Sequence, residues 1–126
     1  MNSWIDHIKS QLLSKGISEA AIIGVDGSVW AKSREFSATA AELKAFVSKY
    51  DSDEFSENGI MMGGMKYFYL SRDHGVVRAK KGQNGFHAMK LKQLYIIALY
   101  DVINCPPPEA AITVENYGNY LSKSGY

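Results

Sequence analysis

The residues best placed to do chemistry are four rings, Trp4, Trp30, Tyr120 and Tyr126, of which Trp4 and Tyr126 lie at the chain ends. Trp4 opens the first helix-like segment, Trp30 closes an early strand, and Tyr120 and Tyr126 ride on the last helix and its tail. Tryptophan and tyrosine each combine a flat apolar face with an N–H or O–H at the tip. A proline-rich peptide is the complement of such a surface. It is already a stiff left-handed helix with unpaired carbonyls, so it loses little order when it binds. If the two termini meet, these rings form one platform for a peptide of that kind. The competing reading is that they pad a small core.

Other chemistry finds less support. His7, His74 and His87 are scattered, and no pair has helical metal spacing. There is no HExxH, CxxC, GxSxG or phosphate-loop pattern, so neither an enzyme nor a metal or cofactor site is expected. Cys105 reads as a small apolar residue before a proline turn. Gly59, Gly63 and Gly64 point to a tight turn or a close backbone approach rather than a nucleotide loop. The basic residues are more informative. Arg78 and Lys80 alternate on one strand and share a face, whereas Lys81 points the other way beside a turn. Lys90 and Lys92 lie near the end of the next strand, and the group is expected to form one positive patch. The alternative is a solvated strand face whose lysines discourage edge-to-edge pairing.

Composition narrows the classes. A chain of 126 residues, 46% hydrophobic, fits one domain with a real core. Lys+Arg is 14 and Asp+Glu is 13, a net charge of +1, so no global field favours nucleic acid or a membrane. The single cysteine rules out an internal disulfide framework and fits a reducing compartment. The start, Met-Asn-Ser-Trp-Ile-Asp-His, lacks the basic and apolar regions of a signal peptide. The longest apolar stretch, Leu94–Tyr100, is far short of the roughly 20 residues that cross a bilayer. A cytoplasmic protein is expected.

The positioning elements follow from periodicity and turn chemistry. Ser3 and Asp6 read as a helix start, with Ile5, Ile8 and Leu12 as the buried stripe and Gly16 as the stop, giving a helix over Trp4–Lys15. Ala20–Val25 and Ser28–Lys32 form a hairpin about Asp26-Gly27. Thr39-Ala-Ala-Glu42 is a capping box, and Leu43, Phe46, Val47 and Tyr50 follow at helical spacing. Asp51–Asn58 reads as an acidic loop. Lys66–Leu70, Val76–Lys81 and Phe86–Leu91 read as strands, with turns at Asp73-His74-Gly75 and Gln83-Asn84-Gly85. Leu94–Tyr100 is nearly continuous in apolar residues, which predicts a strand covered on both faces. The prolines Pro106–Pro108 suit a helix start, and Ala110, Val114, Tyr117 and Leu121 make one stripe of a helix over Glu109–Ser122. Strands joined by tight turns are antiparallel, so the class is α+β: a central antiparallel sheet with helices packed on it.

Several segments together resemble the profilin family. Ser3-Trp4-Ile5-Asp6-His7 is similar to its Ser-Trp-x-x-Tyr opening. The run from Ala20 to Ala31 resembles its first hairpin, and Gly59 to Tyr67 its Gly-x-x-x-x-Gly-x-Lys-Tyr strand entry. Val76-Val77-Arg78-Ala79-Lys80-Lys81-Gly82 resembles its basic hairpin, and Val114-Glu115 through Gly125-Tyr126 its last helix and tail. The resemblance spans the chain in order. It implies N- and C-terminal helices on one face of the sheet and smaller helical segments on the other. It also implies a cytoplasmic, cytoskeletal protein that binds monomeric actin, speeds actin's nucleotide exchange, holds proline-rich segments of formin-like assembly factors and associates with anionic phosphoinositides. Trp4, His7, Trp30, Tyr120 and Tyr126 fall on its polyproline positions. His7 stands where the family usually has tyrosine, keeping a flat ring with an N–H. Arg78, Lys80, Lys81, Lys90 and Glu109 are the implied actin residues, and Arg78, Lys80 and Lys81 the implied phosphoinositide residues. Cys105-Pro-Pro-Pro-Glu109-Ala-Ala departs from the family's commoner approach to the last helix. Two alternatives stay open: a polyproline-binding adaptor with weak or no actin binding, and a small-molecule or enzymatic domain on the sheet's open face.

Overall fold

The architecture is built around one strand that is apolar on both sides. In the computed structural model, which describes residues 3–73 and 75–126, Leu94–Asp101 forms the last strand. Its Leu94, Ile96, Ala98 and Tyr100 enter one core, and Tyr95 and Ile97 enter the other. A strand of this kind needs a layer on each face. The chain supplies them in the order α1 (Trp4–Gln11), a short 3-10 turn (Leu13–Lys15), β1 (Glu19–Gly24), β2 (Val29–Lys32), α2 (Ala40–Lys49), α3 (Glu54–Asn58), β3 (Ile60–Met62), β4 (Met65–Asp73), β5 (Val76–Lys81), β6 (Asn84–Lys90), β7 (Leu94–Asp101) and α4 (Pro107–Lys123). The sheet runs β2-β1-β7-β6-β5-β4-β3, and every neighbouring pair is antiparallel. Helices α1 and α4 cover one face through Ile8, Leu12, Ala110, Val114, Tyr117 and Leu121. Helices α2 and α3 cover the other through Leu43, Phe46, Tyr50 and Phe55. The expected α+β sheet, with terminal helices on one face and smaller ones on the other, is the fold observed.

Local chemistry accounts for most of the boundaries. Ser3 and Asp6 close a reciprocal capping box at α1, and Thr39 and Glu42 do the same at α2. Pro106 precedes α4 as its N-cap in an extended conformation, and Pro107 sits at the first helical position, where a missing N–H is tolerated.

Three expectations need correction, and one strand is added. Helix α1 stops at Gln11, and Ile5 is 47% exposed, so its buried side is Ile8 and Leu12 with Trp4 alongside. The segment Asp51–Asn58 is not a plain loop: its one aromatic residue, Phe55, is buried against Phe46, and Ser52 Oγ accepts from the N–H of Glu54 where α3 begins. The strand entry expected after Gly59 is present as β3, which pairs with β4 through Ile60 and Tyr67. Asn84-Gly85 is not the turn between β5 and β6. Asn84 already pairs with Lys81, leaving Gly82-Gln83 as the connection. Gly85 is needed inside the strand instead, because a Cβ there would lie 2.1 Å from Cζ of Tyr100. His74, expected in the β4–β5 turn, lies outside the described residues.

Glu42 joins the α2 cap to the β3–β4 turn. Its carboxylate accepts from the N–H of Thr39 at 2.9 Å, of Gly63 at 3.1 Å and of Gly64 at 2.8 Å. Desolvation works to raise this carboxyl, but the backbone donors outweigh it and hold it below the ordinary value of 4.5. A lowered carboxyl stabilises the fold above its unfolded-state value and loses that contribution as pH falls through the folded value. Glu42→Gln is therefore expected to lower unfolding free energy by about 1 kcal/mol at neutral pH. In denaturant melts the gap between Glu42→Gln and the parent should close as pH drops below 4.5.

Candidate functional site

Packing α1 and α4 side by side on one sheet face brings the ends of the chain together. Trp4 and His7 stand three residues apart on α1 and so share a face. Tyr117 and Tyr120 do the same on α4. Beyond α4 the tail is fixed by backbone bonds: the N–H of Tyr126 donates to Leu121 O at 3.0 Å, and the N–H of Gln93 donates to Tyr126 O at 2.8 Å. The Gln93 side chain adds a bond from Nε2 to Gly125 O at 3.1 Å. The Tyr126 ring is thereby held 5.0 Å from Trp4, centroid to centroid.

Trp30 reaches the same cluster through an irregularity in its strand. Ile22 pairs with Ala31 and Ile23 with Val29, which leaves Trp30 as the extra residue of a β-bulge. Strict alternation would send Trp30 and the buried Ala31 to opposite faces; a bulge re-aims the side chain. The indole lies 5.6 Å from Trp4 and 6.4 Å from Tyr126. Gly24 makes room for it, since a Cβ there would sit 2.7 Å from the indole Nε1.

The result is a continuous set of rings. Trp4 meets His7 at 5.6 Å, and His7 meets Tyr117 at 5.9 Å and Tyr120 at 6.4 Å. Ser3, Trp4, His7 and Tyr126 line an open groove of about 270 Å³. Trp30 and Tyr120 are 37% and 55% exposed, and Trp4, His7 and Tyr126 are half-buried. The five rings singled out in the sequence are thus brought together. Tyr117, on the buried stripe expected for α4, supports them from beneath through its contact with His7. Tyr117 and Tyr120 are spaced like Trp4 and His7. Burial pushes the Tyr117 phenol well above the ordinary tyrosine value, with Tyr120 and Tyr126 adding to the effect.

The basic residues divide. Val76 lies in the α1/α4 core and Val77 in the other, so Arg78 and Lys80 face the α4 side and Lys81 the α2 side. Lys90 does not join them. It follows the buried Ala88 on the α2 side, forms an ion pair with Asp51 and lies over the Tyr95 ring. Lys80 pairs with Gly85, five residues back along β6, which separates Lys90 from it by roughly 17 Å. The single patch expected from the sequence is therefore a pair, Arg78 and Lys80. Hydrogen bonding to Asp51 raises the Lys90 ammonium further above its ordinary value.

Apolar side chains that the sequence reading left unassigned accompany this pair. Phe68, opposite Lys80 on β4, is 68% exposed, and Leu70, at a β4 bulge beside Arg78, is 59% exposed. All four residues 67–70 are apolar or aromatic although only one face of β4 is covered, and that was the signal missed. Ile112 on α4 is also exposed, and Glu109 projects from the first turn of that helix. Beneath that turn His87 is buried, with Nε2 3.2 Å from Pro107 O and its ring against Tyr100. Burial pushes His87 below its ordinary value, with Arg78 adding to the effect against the two nearby carbonyls. Arg78 Nε is a buried donor with no acceptor among the described residues. Cys105 is buried, and burial followed by Glu109 pushes its thiol up, away from nucleophilic use.

A family model described as profilin matches residues 2–126. The chain belongs to the profilin family. A profilin of Drosophila melanogaster is 41% identical over 126 residues, covering 98% of this chain and 99% of that one. A profilin of Bombyx mori is 38% identical over the same coverage. Among solved structures, profilin II of Acanthamoeba castellanii superposes with a TM-score of 0.90 at 30% identity, covering 98% of this chain and 100% of that one. The family resemblance read from the sequence is therefore correct along its length. Among the described residues no helix is long and apolar enough to cross a membrane, and no three His, Cys, Asp or Glu residues are grouped to hold a metal.

Proposed function

We propose that this chain binds proline-rich segments on its ring platform and monomeric actin on the face made by β4, β5 and the start of α4, and that it thereby regulates actin assembly and nucleotide exchange. The observation that carries the first half is the convergence of Trp4, His7, Trp30, Tyr120 and Tyr126 into one ring cluster, with Trp4, His7 and Tyr126 lining its groove. These flat apolar faces, with N–H and O–H tips, complement a polyproline helix that offers only rings and carbonyls. Mouse profilin IIa has been solved with a double repeat from the FH1 domain of mDia1, and that protein shares this fold with a TM-score of 0.79.

The second half rests on the face bearing Phe68, Leu70, Arg78 and Lys80. Exposed apolar side chains beside cations suit an apolar surface with acidic residues. Pro106–Pro108 carry no backbone N–H, so contacts at the start of α4 fall to side chains such as Glu109 and Ile112. LokiProfilin2 has been solved in complex with rabbit actin and shares this fold with a TM-score of 0.80. The same cations, Arg78 and Lys80, support peripheral, salt-sensitive attachment to anionic phosphoinositides, with Lys81 at the rim; each such charge adds about 1 kcal/mol near an anionic surface. We place the protein's work in the cytoplasm, on the cytoskeleton.

Trp4→Ala removes the central ring, and truncating such a residue commonly costs about 2 kcal/mol or more. It is expected to abolish retention on a polyproline column with an unchanged circular-dichroism spectrum; a folded Trp4→Ala that is retained like the parent would sink the platform.

Lys80→Glu and Phe68→Ser should each weaken sequestration in pyrene-actin assembly by tenfold or more, about 1.4 kcal/mol. Lys90→Glu should leave assembly kinetics as they are. Equal effects at Lys80 and Lys90 would show that the actin contact lies elsewhere.

A further inference from the structure

Resting on the polyproline reading above, we infer that Tyr117 fixes the tautomer of His7, so that His7 presents Nε2–H to the groove as a hydrogen-bond donor for a backbone carbonyl of the bound peptide. His7 Nδ1 lies 3.0 Å from the Tyr117 hydroxyl. A neutral imidazole carries one N–H, so either the phenol donates to Nδ1 or Nδ1–H donates to the phenol oxygen.

The buried phenol decides between them. Tyr117 is 2% exposed, and its hydroxyl has no second hydrogen-bond partner among the described residues. If the hydroxyl accepted from Nδ1–H, its own hydrogen would be buried without an acceptor and would bear the full desolvation penalty. If it donates to Nδ1, its hydrogen is satisfied and the imidazole proton goes to Nε2. Burial also keeps the phenol protonated across the physiological range, so the donor is always present.

Nε2 is the far nitrogen of the ring and has no protein partner among the described residues. His7 itself lines the groove with Ser3, Trp4 and Tyr126. A proline-rich peptide has no N–H at its prolines but a carbonyl at every residue, so a donor is the only polar group this position can usefully offer. Tyr117 is therefore a positioning residue: it holds His7 in the protonation pattern the ligand needs without touching the ligand.

The inference makes a measurement possible without any ligand. In two-bond ¹H–¹⁵N spectra of the neutral imidazole, the parent should show Nδ1 as the unprotonated, acceptor-type nitrogen and Nε2 as the protonated one. Adding a proline decamer should then move the Nε2 resonance more than the Nδ1 resonance. Tyr117→Phe should lose the acceptor-type signature of a hydrogen-bonded Nδ1 while the spectrum remains that of a folded protein. His7→Phe, which keeps a flat ring and removes the donor, should bind the decamer about fivefold more weakly than the parent, and His7→Gln, which restores an N–H, should recover part of that loss. A protonated Nδ1 in the parent overturns the inference. So does a His7→Phe that binds the decamer as tightly as the parent. A parent that does not bind the decamer at all overturns the platform as well, and that outcome is distinct from the other two.

Discussion

The structure depends on the double-sided burial of β7. Leu94, Ile96, Ala98 and Tyr100 face one core and Tyr95 and Ile97 the other, so no stable arrangement leaves either side of the strand wet. Its neighbour β6 is buried in the same way from Gly85 to Met89. Each face must then carry helices. One pair comes from the ends of the chain, α1 and α4, and their side-by-side packing makes the termini adjacent. The ring cluster follows from that adjacency. Trp4, His7 and Tyr120 are the outward continuation of helix faces whose inward residues, Ile8, Val114, Tyr117 and Leu121, are held in the core.

Two surfaces emerge on one side of the sheet. The rings collect where α1 meets the C-terminal end of α4 and the edge strand β2. The cation and apolar pair collects beside the N-terminal end of α4, on β4 and β5. Glu109 and Tyr120 are eleven residues apart on one helix, roughly 16 Å along its axis. Between them the helix is locked to the sheet by buried side chains, so it behaves as a rigid spacer. A ligand on one surface need not disturb the other.

Much of this was legible in the sequence because it rests on short-range rules. The capping box at Thr39 and Glu42, the Asp26-Gly27 hairpin, the unbroken apolar run of β7 and the stripe Ala110, Val114, Tyr117, Leu121 each follow from spacing alone. The ring residues were legible as candidates, since two tryptophans and terminal tyrosines are conspicuous in a short chain. What spacing did not reveal depends on pairing across the fold. Gly85 looks like half of an Asn-Gly turn until Tyr100 is placed against it. Phe55 looks like part of an acidic loop until Phe46 gives it a stacking partner. Lys90 looks like a neighbour of Lys80 until the strand register puts it on the other face with Asp51. Trp30 would point away from Trp4 but for a bulge that no local pattern announces.

The central claim is that the ring platform and the β4–β5 face are separate sites joined by a rigid helix. The most direct test is calorimetric titration of a proline decamer into the protein alone and into the protein saturated with monomeric actin. The account predicts the same affinity in both titrations, within about twofold, as expected for sites that share no residues. Displacement of actin by the peptide, or loss of peptide binding in the actin-bound protein, would contradict it.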